Sequence, residues 1–229
     1  MTQKFKYIIG IDEVGRGPLA GPVTIGAVCA LANLSALDVG CLNEHPVIPM
    51  NRDTTSLKRG FFDITEPDLL EGIRDSKKLT QKKREVWSEF ILGCHHFSCA
   101  TVSVPANIID DIGISGAIKF AVEKAIEKIE KKLEDLKTDN TFICLDGSLK
   151  APEKYLQKAI IGGDDIVPII SAASVVAKVS RDKLMTRIAE NYPEYGFEKH
   201  KGYGTKAHFE AIQKNGMCEI HRRSFLKGL

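Results

Sequence analysis

Asp12, Glu13, Asp146 and Asp164 fall where a chain would place them to hold metal ions. The apolar run from Tyr7 to Ile11 closes abruptly on Asp12-Glu13, and the run from Thr141 to Leu145 closes in the same way on Asp146-Gly147. A third apolar stretch, Ala159 to Ile161, leads through Gly162-Gly163 into Asp164. Strands that end in an acid deliver that acid to the rim of a sheet, and acids gathered at one rim repel one another. Each like-charged contact costs about 1 kcal/mol in water and about 4 kcal/mol near a protein surface. A cation removes that cost, and an all-oxygen donor set favours magnesium or manganese. Asp12 and Glu13 are neighbours on a strand and point to opposite faces, so a backbone bend is expected there, made cheap by Gly15 and Gly17. Taken singly, Asp12-Glu13 also reads as a solubilising strand end, Asp146-Gly147 as a tight turn, and Asp164-Asp165 as a cap. Their joint occurrence carries the metal reading.

The segment after the first acids, Gly15-Arg16-Gly17-Pro18-Leu19-Ala20, matches the loose G-x-G-x-x-A dinucleotide pattern. That reading fails on charge, because Asp12 and Glu13 would face a pyrophosphate with nothing to neutralise them. Pro18 and Pro22 also oppose a helix opening there. Glycines flanking an arginine suit a different role, in which backbone N–H groups come close to a sugar-phosphate while Arg16 contacts an anion.

The elements that must position these residues alternate. Strands are expected at Tyr7–Asp12, Val23–Ala32, Phe97–Val104, Thr141–Asp146 and near Ala159–Ile161. Thr80 is suited to cap a helix running through Trp87 and Ile91. Ile118, Val122, Ala125, Ile129, Leu133 and Leu136 recur at helical steps and predict a helix over Ser115–Leu136. A second long helix is predicted over Ser171–Asn191, with small residues at its start that let it approach a sheet closely. Strands followed by alternating strands and helices give an α/β fold with a mixed sheet. One domain over residues 1–229 is expected, with a long loop or insertion around 33–66 and a basic helical segment around 192–229. That basic run contains Lys199, His200, Lys201, Lys206, Lys214, His221, Arg222, Arg223 and Lys227. It reads either as a face for a polyanion or as a solvated tail.

The formal net charge of +2 does not by itself announce a nucleic-acid partner. The 6 cysteines are too sparse for a disulfide scaffold, and Cys29 and Cys144 are expected as buried thiols inside strands. Cys94-His95-His96-Phe97-Ser98-Cys99 has no common zinc spacing and no second ligand pair. With neither an apolar leader nor a run of about 20 apolar residues, the expectation is a cytoplasmic protein with no membrane partner.

Six blocks together resemble bacterial ribonuclease HII: Ile11-Asp12-Glu13-Val14-Gly15-Arg16-Gly17-Pro18, Asp75-Ser76-Lys77-Lys78-Leu79, Asp146-Gly147, Gly163-Asp164, Ser171 through Asp182, and His200-Lys201-Gly202-Tyr203-Gly204-Thr205. The resemblance runs through His221-Arg222-Arg223-Ser224-Phe225. It implies an RNase H-like fold, a five-stranded mixed sheet flanked by helices with a small C-terminal helical part. It also implies that Asp12, Glu13, Asp146 and Asp164 are the metal-binding and catalytic acids. Asp165 is not expected as a ligand, and Gly162 stands where the family often has lysine.

The resemblance further implies endonucleolytic hydrolysis of the RNA strand of RNA–DNA hybrids and cleavage at single ribonucleotides in duplex DNA. Two divalent ions, magnesium or manganese, about 3.5–4 Å apart at such sites, would activate a water for in-line attack and leave 5′-phosphate and 3′-hydroxyl ends. Backbone groups of Gly15-Arg16-Gly17 are the candidates for sensing the 2′-hydroxyl. Tyr203 is the candidate to stack on the neighbouring deoxyribose, although a turn aromatic packed on the core is the alternative. Lys77, Lys78 and Lys178 are candidates for phosphate contacts, with ordinary helix surface the alternative for Lys178. A monomer is expected, and a sliding-clamp contact is not legible in the residues. The competing classes are a hybrid-binding protein without catalysis and another metal-dependent nuclease.

Overall fold

The computed structural model describes residues 5–32, 69–70, 72–73 and 75–227. The expected insertion around 33–66 therefore lies outside the described residues.

Five strands form one sheet in the order β3-β2-β1-β4-β5. They are β1 (Tyr7–Val14), β2 (Val23–Leu31), β3 (Phe97–Val104), β4 (Thr141–Asp146) and β5 (Leu156–Ile160). The first three pair antiparallel, whereas β4 lies parallel to both β1 and β5. The mixed sheet read from the alternation of elements is thus present. The last strand begins three residues before the expected Ala159, as a partly exposed sheet edge that carries little apolar signal.

Both faces of the sheet are covered. Alternation along β1 sends Ile9 and Ile11 into one core with Ala121, Val122 and Ile126 of α2 (Ala106–Glu130). Ile8 joins the opposite core with Ile170, Ala173 and Val176 of α4 (Pro168–Ala189). The helix α2 starts nine residues earlier than its periodicity suggests and kinks at Gly113, whose φ is 73°. It ends at Glu130, so Leu133 and Leu136 continue its apolar stripe in turns. α1 (Gln81–Gly93) begins as expected, with the Thr80 hydroxyl accepting from Lys83 N–H.

The position of α4 against the sheet depends on missing side chains. A Cβ on Gly10 would lie 2.2 Å from the Ile169 carbonyl oxygen, and one on Gly26 would lie 2.3 Å from that of Ala173. Backbone cannot yield as a side chain can, so any larger residue there would push α4 away. Because Asp12 pairs directly with Gly26, this close approach brings α4 down onto the acid end of β1.

The remaining elements are α3 (Gly163–Ile166), α5 (Phe197–His200) and α6 (Lys206–Asn215). α5 and α6 build the expected C-terminal helical part around Phe197, Ile212, Met185 and Tyr195. Cys29 and Cys144 are buried free thiols, and Cys94 and Cys99 are free as well. Among the described residues Cys94–Cys99 forms no metal-ligand cluster.

Candidate active site

The register between β1 and β4 stops at Ile11 opposite Leu145. The next residues, Asp12 and Asp146, therefore leave the two strands side by side and on the face that α4 covers. Glu13 points to the other face, but β1 has no partner on its β4 side beyond Ile11, so the longer Glu13 side chain can reach round. One carboxylate oxygen from each of Asp12, Glu13 and Asp146 lies within 4.8 Å of the others. The expected backbone bend is not needed: β1 stays paired with β2 through Glu13 and Val14. What brings the two faces together is the end of a neighbouring strand.

The electrostatics of this trio call for a cation. Asp12 is only 4% exposed. Burial pushes its carboxyl up to about 8, against the contact from the Ser174 hydroxyl, with Asp146 and Glu13 adding to the rise. Burial likewise raises Glu13, opposed by Arg16, whose Nη1 stands 3.6 Å from Glu13 Oε1. Carboxyls that resist ionising side by side become stable anions when a divalent ion joins them. The donor set is all oxygen, which suits magnesium or manganese.

Asp164 approaches from the other side, in the first turn of α3 and not at a strand end. Its N–H donates to Asp146 Oδ1 at 3.2 Å, and Gly163 before it leaves little space, since a Cβ there would lie 2.7 Å from Ile170 Cδ1. Gly162 adopts φ 65°, a left-handed conformation that favours glycine. The Asp164 carboxylate faces Lys77 Nζ at 3.2 Å; burial and Asp146 raise its pKa, and Lys77 opposes them. Lys77 and Lys78 sit in the single turn Ser76–Lys78. That turn is tied to α4 through a Ser174–Ser76 hydroxyl bond of 2.9 Å, and Lys78 pairs with Asp165 at 2.6 Å.

A family model described as Ribonuclease HII matches residues 65–227. The ribonuclease HII of Caldicellulosiruptor bescii is 40% identical over 230 residues, covering 100% of this chain and 91% of the relative. That of Sulfurovum sp. strain NBC37-1 is 38% identical over 230 residues, covering 100% and 97%.

This chain belongs to the ribonuclease HII family.

It is accordingly a ribonuclease H, a hydrolase of a metal-dependent family that acts on RNA–DNA hybrids. Solved structures agree on the fold. The PCNA:RNase HII complex from Archaeoglobus fulgidus contains a chain matching at a TM-score of 0.61 with 21% identity, over 97% of this chain and 95% of that one. Bst-RNase HIII in complex with Mn2+ matches at 0.59 with 14% identity, over 98% and 66%.

The other residues expected at a ribonuclease HII site lie on the loop after β1, on α4 and in the segment before α6. Arg16 and Gly17 are exposed on the loop after β1, while Gly15 (φ 90°) lies against the Arg181 side chain. Tyr203 is 40% exposed, and its ring lies 5.6 Å from Arg181 Cζ and 5.8 Å from Lys178 Nζ. Lys178 also pairs with Asp182 at 2.9 Å. The loop carrying Tyr203 joins the glycine loop directly, through Leu19 N–H to Gly202 C=O at 2.8 Å.

Ser174, Arg181 and Arg222 are the residues that sequence reasoning misses. By its sequence Ser174 is only a small packing residue. Arg222 and His221 count there toward a basic surface run, but both are buried. Arg181 is also fully buried, donating to the carbonyls of Pro22 (2.9 Å) and Lys201 (3.0 Å). Two arginines buried without a carboxylate partner among the described residues are rare enough that burial, were it legible in a sequence, would mark them.

Proposed function

We propose that the protein cuts the RNA strand of RNA–DNA hybrids and nicks duplex DNA on the 5′ side of a single embedded ribonucleotide. The observation that carries this reading is the convergence of Asp12, Glu13 and Asp146 oxygens within 4.8 Å at the strand end that leads into the exposed Arg16-Gly17 loop. Magnesium or manganese bound there would supply an activated water and stabilise the leaving 3′-oxygen by a two-metal in-line route. Asp12, Glu13, Asp146 and Asp164 are the assigned ligands.

The chain's own residues position the substrate. Arg16 and Lys77 offer cations to the phosphates on either side of the scissile bond, fixing register without reading sequence. The Gly15-Arg16-Gly17 backbone contacts the 2′-hydroxyl, and the Tyr203 ring packs on the adjoining deoxyribose, where a 2′-hydroxyl would crowd it. Lys178, held by Asp182 beside that ring, supports Tyr203 and adds positive potential.

The test is cleavage of a labelled DNA duplex holding one ribonucleotide, with magnesium or manganese, beside an all-DNA control. A single metal-dependent nick 5′ of the ribonucleotide is expected, with the control intact. Binding without any cut would favour a non-catalytic hybrid-binding protein. Cutting of the all-DNA duplex would favour a general nuclease.

A further inference from the structure

Arg222 lies 207 residues from Gly15 in the chain, yet its guanidinium is wholly buried beneath the glycine loop. Its Nη2 donates to Gly15 C=O at 2.6 Å, its Nη1 to Arg16 C=O at 2.9 Å and its Nε to Gly21 C=O at 2.9 Å. Its backbone is fixed as well. Arg222 N–H donates to Leu19 C=O at 2.8 Å, and Asp110 accepts from the N–H groups of Arg223 and Ser224 at 2.9 Å each.

No peptide in the described chain is cis, so each C=O points opposite to the N–H of the following residue. With the Gly15 and Arg16 carbonyls both turned down onto one guanidinium, the Arg16 and Gly17 N–H groups must both point up and outward. Neither has a hydrogen-bond partner among the described residues, and both residues are exposed. Two successive N–H groups on one side form a small concave donor site for an oxygen. A planar fork with several donors in fixed directions can enforce this, whereas an ammonium cannot.

We propose that Arg222 is the positioning residue for ribonucleotide recognition: by gripping the Gly15 and Arg16 carbonyls it presents the Arg16 and Gly17 N–H groups as a preset donor pair for the sugar-phosphate at the 2′-hydroxyl. This rests on the proposed ribonucleotide selectivity and adds the residue that builds its sensor. Arg181 does not share the role, because its bonds go to Ala20, Pro22 and Lys201 carbonyls and none to the Gly15–Gly17 peptides.

The test compares wild type, Arg222→Lys and Arg222→Gln on the single-ribonucleotide duplex, with manganese affinity measured by calorimetry. Arg222→Lys keeps the charge but loses the fork, so kcat/KM is expected to fall about tenfold or more, the worth of a lost hydrogen bond to the substrate. Manganese affinity is expected to stay at the wild-type value. Wild-type kcat/KM in either folded variant overturns the assignment, as does a loss that manganese affinity follows in proportion. Should both variants misfold, amide exchange in the wild type decides: Arg16 and Gly17 amides must exchange fast in the free protein and slow when the ribonucleotide duplex is added in EDTA. Slow exchange beforehand, or no slowing afterwards, overturns it. A wild type that cuts no ribonucleotide duplex would instead sink the proposed function, and the free-protein exchange rates would still judge the loop geometry.

Discussion

Lys77 Nζ lies 3.2 Å from Asp164 Oδ2, so the one assigned ligand outside the close trio already has a cation beside it. An incoming metal ion must compete with that ammonium for Asp164. The Lys77 side chain is 76% exposed, so water screens the pair and its worth is at most about 1 kcal/mol. Lys77→Met is therefore expected to tighten manganese binding by about 2–5-fold while weakening duplex binding. Titration by calorimetry or manganese spin resonance checks this, and weaker metal binding in the variant would show that Lys77 orders Asp164 instead of competing for it.

Asp146 is central to the acid cluster: it shares the trio with Asp12 and Glu13 and accepts from Asp164 N–H. Asp146→Asn keeps the shape but removes a charge from the ligand set. Cleavage is expected to fall by more than about a thousandfold, since metal stabilisation of the transition state is worth several kcal/mol. Duplex affinity should be retained. Near-normal turnover would remove Asp146 from the ligand assignment.

Asp12 bears the cost of the site when no metal is bound. Its buried carboxyl, beside Asp146 and Glu13, is pushed up to about 8, so above that pH the folded protein carries an unfavourable buried charge. Asp12→Asn in EDTA is expected to raise Tm by about 2–4 °C for each kcal/mol relieved. Saturating manganese should reverse the order by stabilising wild type more than the variant. Scanning calorimetry at pH 9 in both conditions measures it, and a less stable variant in EDTA would mean the carboxylate is already well compensated.

Tyr203 is exposed on one side and backed by Arg181 on the other. Tyr203→Ala is expected to lower cleavage at a lone ribonucleotide by about tenfold or more, from the stacking lost, with a smaller effect on uniform RNA–DNA hybrid. Equal losses on both substrates would assign the ring to packing.

His208 gives the C-terminal part a pH dependence of definite sign. Its Nδ1 donates to Tyr203 C=O at 2.9 Å, so its Nε2 must accept from His221 Nε2 at 3.1 Å. His221 Nδ1 then accepts from Cys218 N–H at 2.9 Å. His200 stacks on the His208 ring at 4.5 Å. A second proton on His208 would set two N–H groups against each other. Burial lowers its pKa to about 4, with His200 and His221 adding to the fall against the Tyr203 carbonyl. The unfolded chain thus binds more protons between about pH 4 and 6.5, and stability is lost as pH drops through that window. His208→Gln should flatten Tm against pH there, and an unchanged slope would place the acid sensitivity elsewhere.

Much of the chemistry is legible in the residues because it is local. Apolar runs ending in Asp12-Glu13 and Asp146 need only strand periodicity, Thr80 needs only its cap, and the small residues of α4 foretell a close approach to the sheet. Asp164 is legible only as an acid set beyond an apolar stretch and a glycine pair, and its reading as a cap agrees with its place in the first turn of α3. The apolar residues before it end an edge strand, and a short helix turn then carries the acid.

How the pieces meet is a matter of packing between distant segments. Alternation along β1 says that Asp12 and Glu13 diverge, and it is the end of β4 pairing at Leu145 that lets their oxygens converge. Charge counting places Arg222 in a basic run, either a face for a polyanion or a solvated tail, because composition cannot distinguish a guanidinium in water from one satisfied by three backbone carbonyls. Residue type and local pattern thus mark the candidate groups for metal and the candidate loop for a sugar. The direction in which that loop's amides point is written nowhere near the loop, since the group that turns them comes from the opposite end of the chain and reaches them only once the fold has closed.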